Sequence, residues 1–126
     1  AASENKAVKI AKSPELGRPN GLILHKGKLW VVTFGSGELY SLDSSGKRAD
    51  IIKAGTGALD GLVVAADGEF IFSSWEGNTT YKGPVGGPFK VLKDGMKAPA
   101  DIGYDAKRNR LLIPLFMSNT VEIVAI

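Results

Sequence analysis

The sequence contains no cysteine. That absence removes disulfide frameworks, thiolate zinc sites and cysteine nucleophiles together. Histidine occurs once, at His25. Without a nucleophile near it, His25 offers no catalytic triad, and its position in a turn beside Lys26 predicts a solvated side chain. Long apolar runs are missing as well. None approaches the ~20 residues that a helix needs to span a bilayer, so no membrane interaction is expected. Charge of one sign is scarce: Lys and Arg number 16 against 13 Asp and Glu, a net charge of +3. No basic run exceeds a pair, whereas nucleic-acid binding calls for a concentrated basic stripe, and no nucleic-acid partner is expected. The stretch Ala1-Ala2-Ser3-Glu4-Asn5-Lys6 lacks the charged-then-apolar layout of a signal peptide. A signal already removed leaves no trace, and the compartment stays open.

What is present is 44% hydrophobic residues with 23% charged in 126 residues. That is enough apolar material for one globular domain with a core. With 16 Gly and 6 Pro, the chain should turn often and long helices are not expected. The turns recur with a period. Pro19-Asn20-Gly21-Leu22 returns as Leu59-Asp60-Gly61-Leu62 and, more loosely, as Pro99-Ala100-Asp101-Ile102. Leu29-Trp30-Val31-Val32-Thr33-Phe34 returns as Phe70-Ile71-Phe72-Ser73-Ser74-Trp75 and Leu111-Leu112-Ile113-Pro114-Leu115-Phe116. Two landmarks with one spacing establish three repeats.

Each repeat reads as β structure. Short apolar runs at 22–24, 62–64 and 102–104 fit inner strands, and the aromatic and β-branched runs fit second strands. Third strands are expected at 38–42, 79–82 and 120–124, and fourth strands at 49–52 and 89–92. Four strands in a repeat of about 40 residues is the period of a β-propeller blade. The expected fold is all-β, three four-stranded blades forming half of a six-bladed propeller. Residues 18–58 form the first blade, 59–97 the second and 98–126 the third. The third repeat has only three strands, while Lys6-Ala7-Val8-Lys9-Ile10 reads as a spare fourth strand. Residues 1–17 are therefore expected to complete a last blade. Rings hold four to eight blades as a rule, so the ring is expected to be closed by a second chain, a homodimer with exchanged N-terminal strands. The alternative is the missing N-terminal half of a longer chain.

In such a ring the loops entering the inner strands, and those joining second to third strands, share one face. Asn20, Asp60 and Asp101 open successive inner strands and point toward a common axis. Converging oxygens suit Ca²⁺ or another hard divalent cation, and Asn and Asp at these places also cap turns through side-chain to backbone bonds. Arg18, Phe34, Trp75, Glu76, Asn78, Phe116 and Asn119 lie on the same face as candidate small-molecule ligand-binding residues. The three aromatics fit either packing between blades or a platform for a sugar-like or aromatic ligand.

Taken in order, Pro19-Asn20-Gly21-Leu22, Gly27-Lys28-Leu29-Trp30-Val31-Val32, Leu59-Asp60-Gly61-Leu62 and Ala98-Pro99-Ala100-Asp101-Ile102-Gly103-Tyr104-Asp105 resemble the C-terminal half of the SMP-30/gluconolactonase-like six-bladed propellers. The resemblance implies a Ca²⁺-dependent lactonase, a hydrolase in which Asn20 is similar to the family's metal-binding Asn. Asp60 resembles the family's Asp, which binds metal and acts as the catalytic acid/base group. It also implies a periplasmic or secreted setting. The family's Glu ligand has no counterpart in this chain, and Ala100 stands where a third ligand belongs. Either Glu76 or Asp101 substitutes, or the site is incomplete. Two further readings stand beside hydrolysis: a propeller that binds a ligand or protein without catalysis, and a half-propeller whose main property is self-assembly.

Overall fold

The computed structural model describes residues 5–126. Among them lie a single 3₁₀ turn, Pro14–Leu16, and eleven strands in three antiparallel sheets. The first blade pairs β1 (Pro19–His25), β2 (Lys28–Thr33), β3 (Glu38–Leu42) and β4 (Arg48–Lys53) in that order. The second pairs β5 (Leu59–Val64), β6 (Phe70–Ser74), β7 (Thr79–Gly83) and β8 (Lys90–Lys93). The third holds β9 (Gly103–Asp105), β10 (Arg110–Leu115) and β11 (Thr120–Ala125), with β11 at its outer edge. No helix among the described residues is long and apolar enough to cross a membrane. The all-β, three-sheet expectation holds, and the strands lie within a few residues of where the repeats place them.

The repeat extends to the backbone. Arg18, Ala58 and Ala98, each entering an inner strand, share a left-handed conformation with φ of 57°, 53° and 50°. Their carbonyls accept from the amides of Phe34, Trp75 and Phe116 in turn. The turns after those aromatics use a second left-handed position, filled by Gly37, Asn78 and Asn119. Glycine and asparagine are the residues that adopt this conformation most readily, which explains why they stand there.

The strands alternate between two faces, and each blade presents one face to the blade before it and the other to the blade after. Trp30, Val32 and Leu39 from the back of blade 1 pack on Leu62, Phe70 and Phe72 from the front of blade 2. Ile71, from the back of blade 2, packs with Ile102, Leu111 and Ile113 from the front of blade 3. The core therefore lies between sheets, as in a face-to-face sandwich. Inner strands approach so closely that a Cβ on Gly21 would stand 2.3 Å from Asp60 O, and one on Gly61 2.4 Å from Ile102 N. Only glycine permits that contact.

Two expectations meet a different arrangement. His25 is not a solvated turn residue; it ends β1 half-buried, with its ring edge-on to Phe70 at 5.6 Å. Strand β1 runs one residue further than its apolar run because the Lys26-Gly27 turn comes later. Residues 6–13 form no strand in this single chain. They lead into the 3₁₀ turn, where Tyr40 Oη donates to Leu16 O at 2.8 Å. Residues 1–4 of the expected N-terminal element lie outside the described residues.

Candidate functional site

Asp60 is the second residue of β5, half-buried where the inner strand begins. Trp75, one residue beyond β6, donates from Nε1 to Asp60 Oδ2 at 2.9 Å. The pairing of Leu59 with Ser74 sets Trp75 beside the start of β5. Burial pushes the Asp60 carboxyl above the usual carboxylate range, and the nearby Asp101 charge adds to this. The Trp75 indole and the Asn20 amide oppose the shift without cancelling it. Asn20, on the exposed start of β1, reaches across the blade boundary and donates to Leu59 O at 3.4 Å. Asn20 and Asp60 thus meet at the start of β5, Asp101 lies near enough for its charge to act on Asp60, and Asn20 also serves the backbone.

The three aromatics form one row across the blades. Phe34 meets Trp75 edge-on at 5.7 Å, and Trp75 meets Phe116 at 5.3 Å with the rings tilted. Phe34 is 36% and Phe116 66% exposed, so the row packs and faces solvent at once. Trp75 sits at its centre, with its ring between two phenyl groups and its N–H on the acid. Arg18 stands at the near end, its stem against Gly35.

The remaining candidates do not converge on Asp60. Glu76 accepts from Gly57 N at 3.1 Å and ties down the connector between the first two blades. Asn78 and Asn119 supply left-handed turn positions with exposed side chains, and Asn78 O accepts from Met96 N.

Ser73 is a residue that pattern reading missed. It is fully buried, accepts from Gly61 N at 2.9 Å and donates to Ala100 O at 2.7 Å. It thereby fixes the spacing between the strand starts that carry Asp60 and Asp101. The only sequence signal is the Ser73-Ser74 pair that ends an otherwise apolar strand.

Asn20, Asp60 and Asp101 would face a divalent cation. Among the described residues, however, no three His, Cys, Asp or Glu side chains gather as a metal-binding group. Two carboxylates and an amide would supply only part of the six to eight oxygens of a Ca²⁺ shell, the rest coming from water or backbone carbonyls.

No family model matches the chain, and no curated protein matches it. Solved structures do. A catalytically inactive virginiamycin B lyase from Staphylococcus aureus with quinupristin superposes with a TM-score of 0.60 at 19% identity, over 85% of this chain and 41% of that one. A streptogramin B lyase gives a TM-score of 0.56 at 19% identity, over 87% and 41%. A protein of unknown function from Bacteroides caccae gives 0.57 at 12% identity, over 85% and 46%. The chain spans less than half the length of these structures. At such identities the likeness shows the fold, a β-propeller.

Proposed function

We propose that this chain supplies the ligand-binding face of a β-propeller. On that face Phe34, Trp75 and Phe116 form a platform for a ring-shaped, hydroxyl-bearing small molecule, and Asp60 is the group that handles its proton. The observation that carries the reading is the Trp75 Nε1 to Asp60 Oδ2 bond of 2.9 Å. It couples the centre of the aromatic row to a carboxylate that burial moves toward protonation. Perturbed acids in exposed clefts are functional-site candidates for this reason.

Titrating a sugar lactone against the protein's fluorescence tests it. Trp30 is buried in the core, leaving Trp75 as the tryptophan a ligand can touch. A saturable change is expected, weakened at least ~10-fold, about 1.4 kcal/mol, in Asp60→Ala. An unsaturable, linear response overturns the reading.

The raised Asp60 carboxyl favours one further step, lactone hydrolysis. Asp60 takes a proton from water as the water oxygen bonds to the lactone carbonyl carbon, and the C=O electron pair moves onto oxygen. Collapse breaks the ring C–O bond, and the departing alkoxide takes the proton back from Asp60. An acid/base group tuned toward working pH suits both halves. Proton release followed at constant pH is the check; binding without release would leave a binding propeller and remove the hydrolase.

A further inference from the structure

Between blades 1 and 2, beside the aromatic row, lies a hollow of about 260 Å³. The turn after β2, the connector from β4 to β5 and Glu76 line it. These segments belong to two blades packed on each other, so the hollow is formed inside the chain. Its walls continue the platform directly, since Gly35 follows Phe34 and Glu76 follows Trp75. The volume falls just short of the roughly 300–1,000 Å³ that takes a whole small ligand, which suits it to one part of a ligand.

The connector makes the room. At the first blade boundary Ala54 N donates to Gly37 O, and at the second Met96 N donates to Asn78 O. From these matching bonds the chain runs Ala54-Gly55-Thr56-Gly57-Ala58 in one case and Met96-Lys97-Ala98 in the other, so the first connector is two residues longer. Ala58 and Ala98 are the equivalent left-handed residues that enter the next inner strand. The longer connector is held in place: Thr56 Oγ1 lies 3.0 Å from Ser74 Oγ and 2.9 Å from Tyr81 Oη. Gly55 has open space around its Cβ position, while a Cβ on Gly57 would collide with the Glu76 carboxylate. Loops fixed on a scaffold in this way are where binding residues concentrate.

Two opposite charges line the hollow without using each other. Lys53 stands opposite Glu38 in the β3–β4 ladder, but Glu38 is taken by Arg48 at 3.3 Å. Glu76 Oε2 accepts from Gly57 N at 3.1 Å. Among the described residues neither Lys53 nor Glu76 forms an ion pair. The residues matching Glu76 in the other repeats, Gly35 and Met117, carry no charge. An ammonium offers only donors and a carboxylate only acceptors. Neighbouring hydroxyls on a sugar ring answer both, and a neutral ring brings no charge for either residue to repel. We infer that the hollow is a second subsite of the platform, taking a hydroxylated ring joined to the one that stacks on Phe34 and Trp75. Glu76 Oε1 accepts from one hydroxyl of a neighbouring pair, and Lys53 Nζ donates to the other. The preferred ligand is then a two-ring lactone rather than a single ring. The inference rests on the platform reading for the first ring and adds the second.

Tryptophan fluorescence titrated with a hexose lactone, and with the same lactone carrying a second hexose in glycosidic linkage, tests it. The two-ring compound should bind at least ~10-fold tighter, and Lys53→Met or Glu76→Gln should abolish that difference. The Gln amide oxygen can still accept from Gly57 N, so the connector keeps its anchor. In a sample with ¹⁵N-labelled glycine, the amide signals of Gly35, Gly37, Gly55 and Gly57 should shift more with the two-ring compound than with the single ring. Saturable binding of both lactones at equal affinity keeps the platform and overturns the second subsite, whereas binding of neither removes both. A larger Gly55 shift with inorganic phosphate than with the two-ring compound makes the connector an anion cradle and likewise overturns the inference.

Discussion

Asp60 is where one residue's surroundings set its chemistry. Its carboxyl is raised by burial first and by Asp101 second, against the pull of the Trp75 indole. Asp101→Asn should therefore lower the Asp60 pKa and Trp75→Phe should raise it further, since the indole stabilises the charged form. A carboxyl-carbon NMR titration reads both directions. The linkage to stability has a definite sign. A carboxyl raised on folding adds stability below its unfolded pKa and loses that contribution as pH climbs through the folded value. Asp60→Asn should consequently melt higher than the parent at neutral pH, with the gap closing as pH falls from the raised folded value to the ordinary carboxylate value. A melting-temperature difference that grew toward acid pH would contradict this account.

Between elements, the structure depends on a few places where inner strands nearly touch. Gly61→Ala would place a methyl against Ile102 N, forcing blades 2 and 3 apart; overpacking of this kind costs about 1–3 kcal/mol. Ser73→Ala leaves Gly61 N and Ala100 O buried without their partner, again about 1–3 kcal/mol. Urea unfolding of each variant measures the cost, and Gly27→Ala is a useful contrast. Gly27 has open space around its Cβ position but a left-handed φ of 77°, so its penalty comes from the backbone alone. Loss of stability in Gly61→Ala no larger than in Gly27→Ala would dismiss the close-approach argument.

In the whole molecule, blade 2 is the shared wall. Phe70 and Phe72 point into one core while Ile71, between them on β6, points into the other. Damage to either side should spread, and unfolding should be a single transition by circular dichroism and tryptophan fluorescence alike. Phe72→Ala, at a fully buried ring, should cost about 3–5 kcal/mol without splitting that transition. Two separated transitions would mean that the blades behave as independent units.

How much of this was legible in the residues differs by level. The 40-residue repeat, the glycines and asparagines at left-handed turns, and the β-branched runs are local facts, and they located nearly every strand. His25 escaped because its partner Phe70 lies in another blade, and no spacing rule reports a contact at that range. Ser73 escaped for the same reason: its two bonds reach Gly61 and Ala100 across a blade boundary. Asn20, Asp60 and Asp101 were legible as strand-opening residues, yet their spacing along the chain held nothing about Trp75 reaching Asp60. By itself the sequence determined strand order, blade count and the turn chemistry, because those follow from short-range sterics and period-two burial. The tertiary structure alone decided which acid is perturbed and which aromatics align, because burial and charge depend on what another blade brings near.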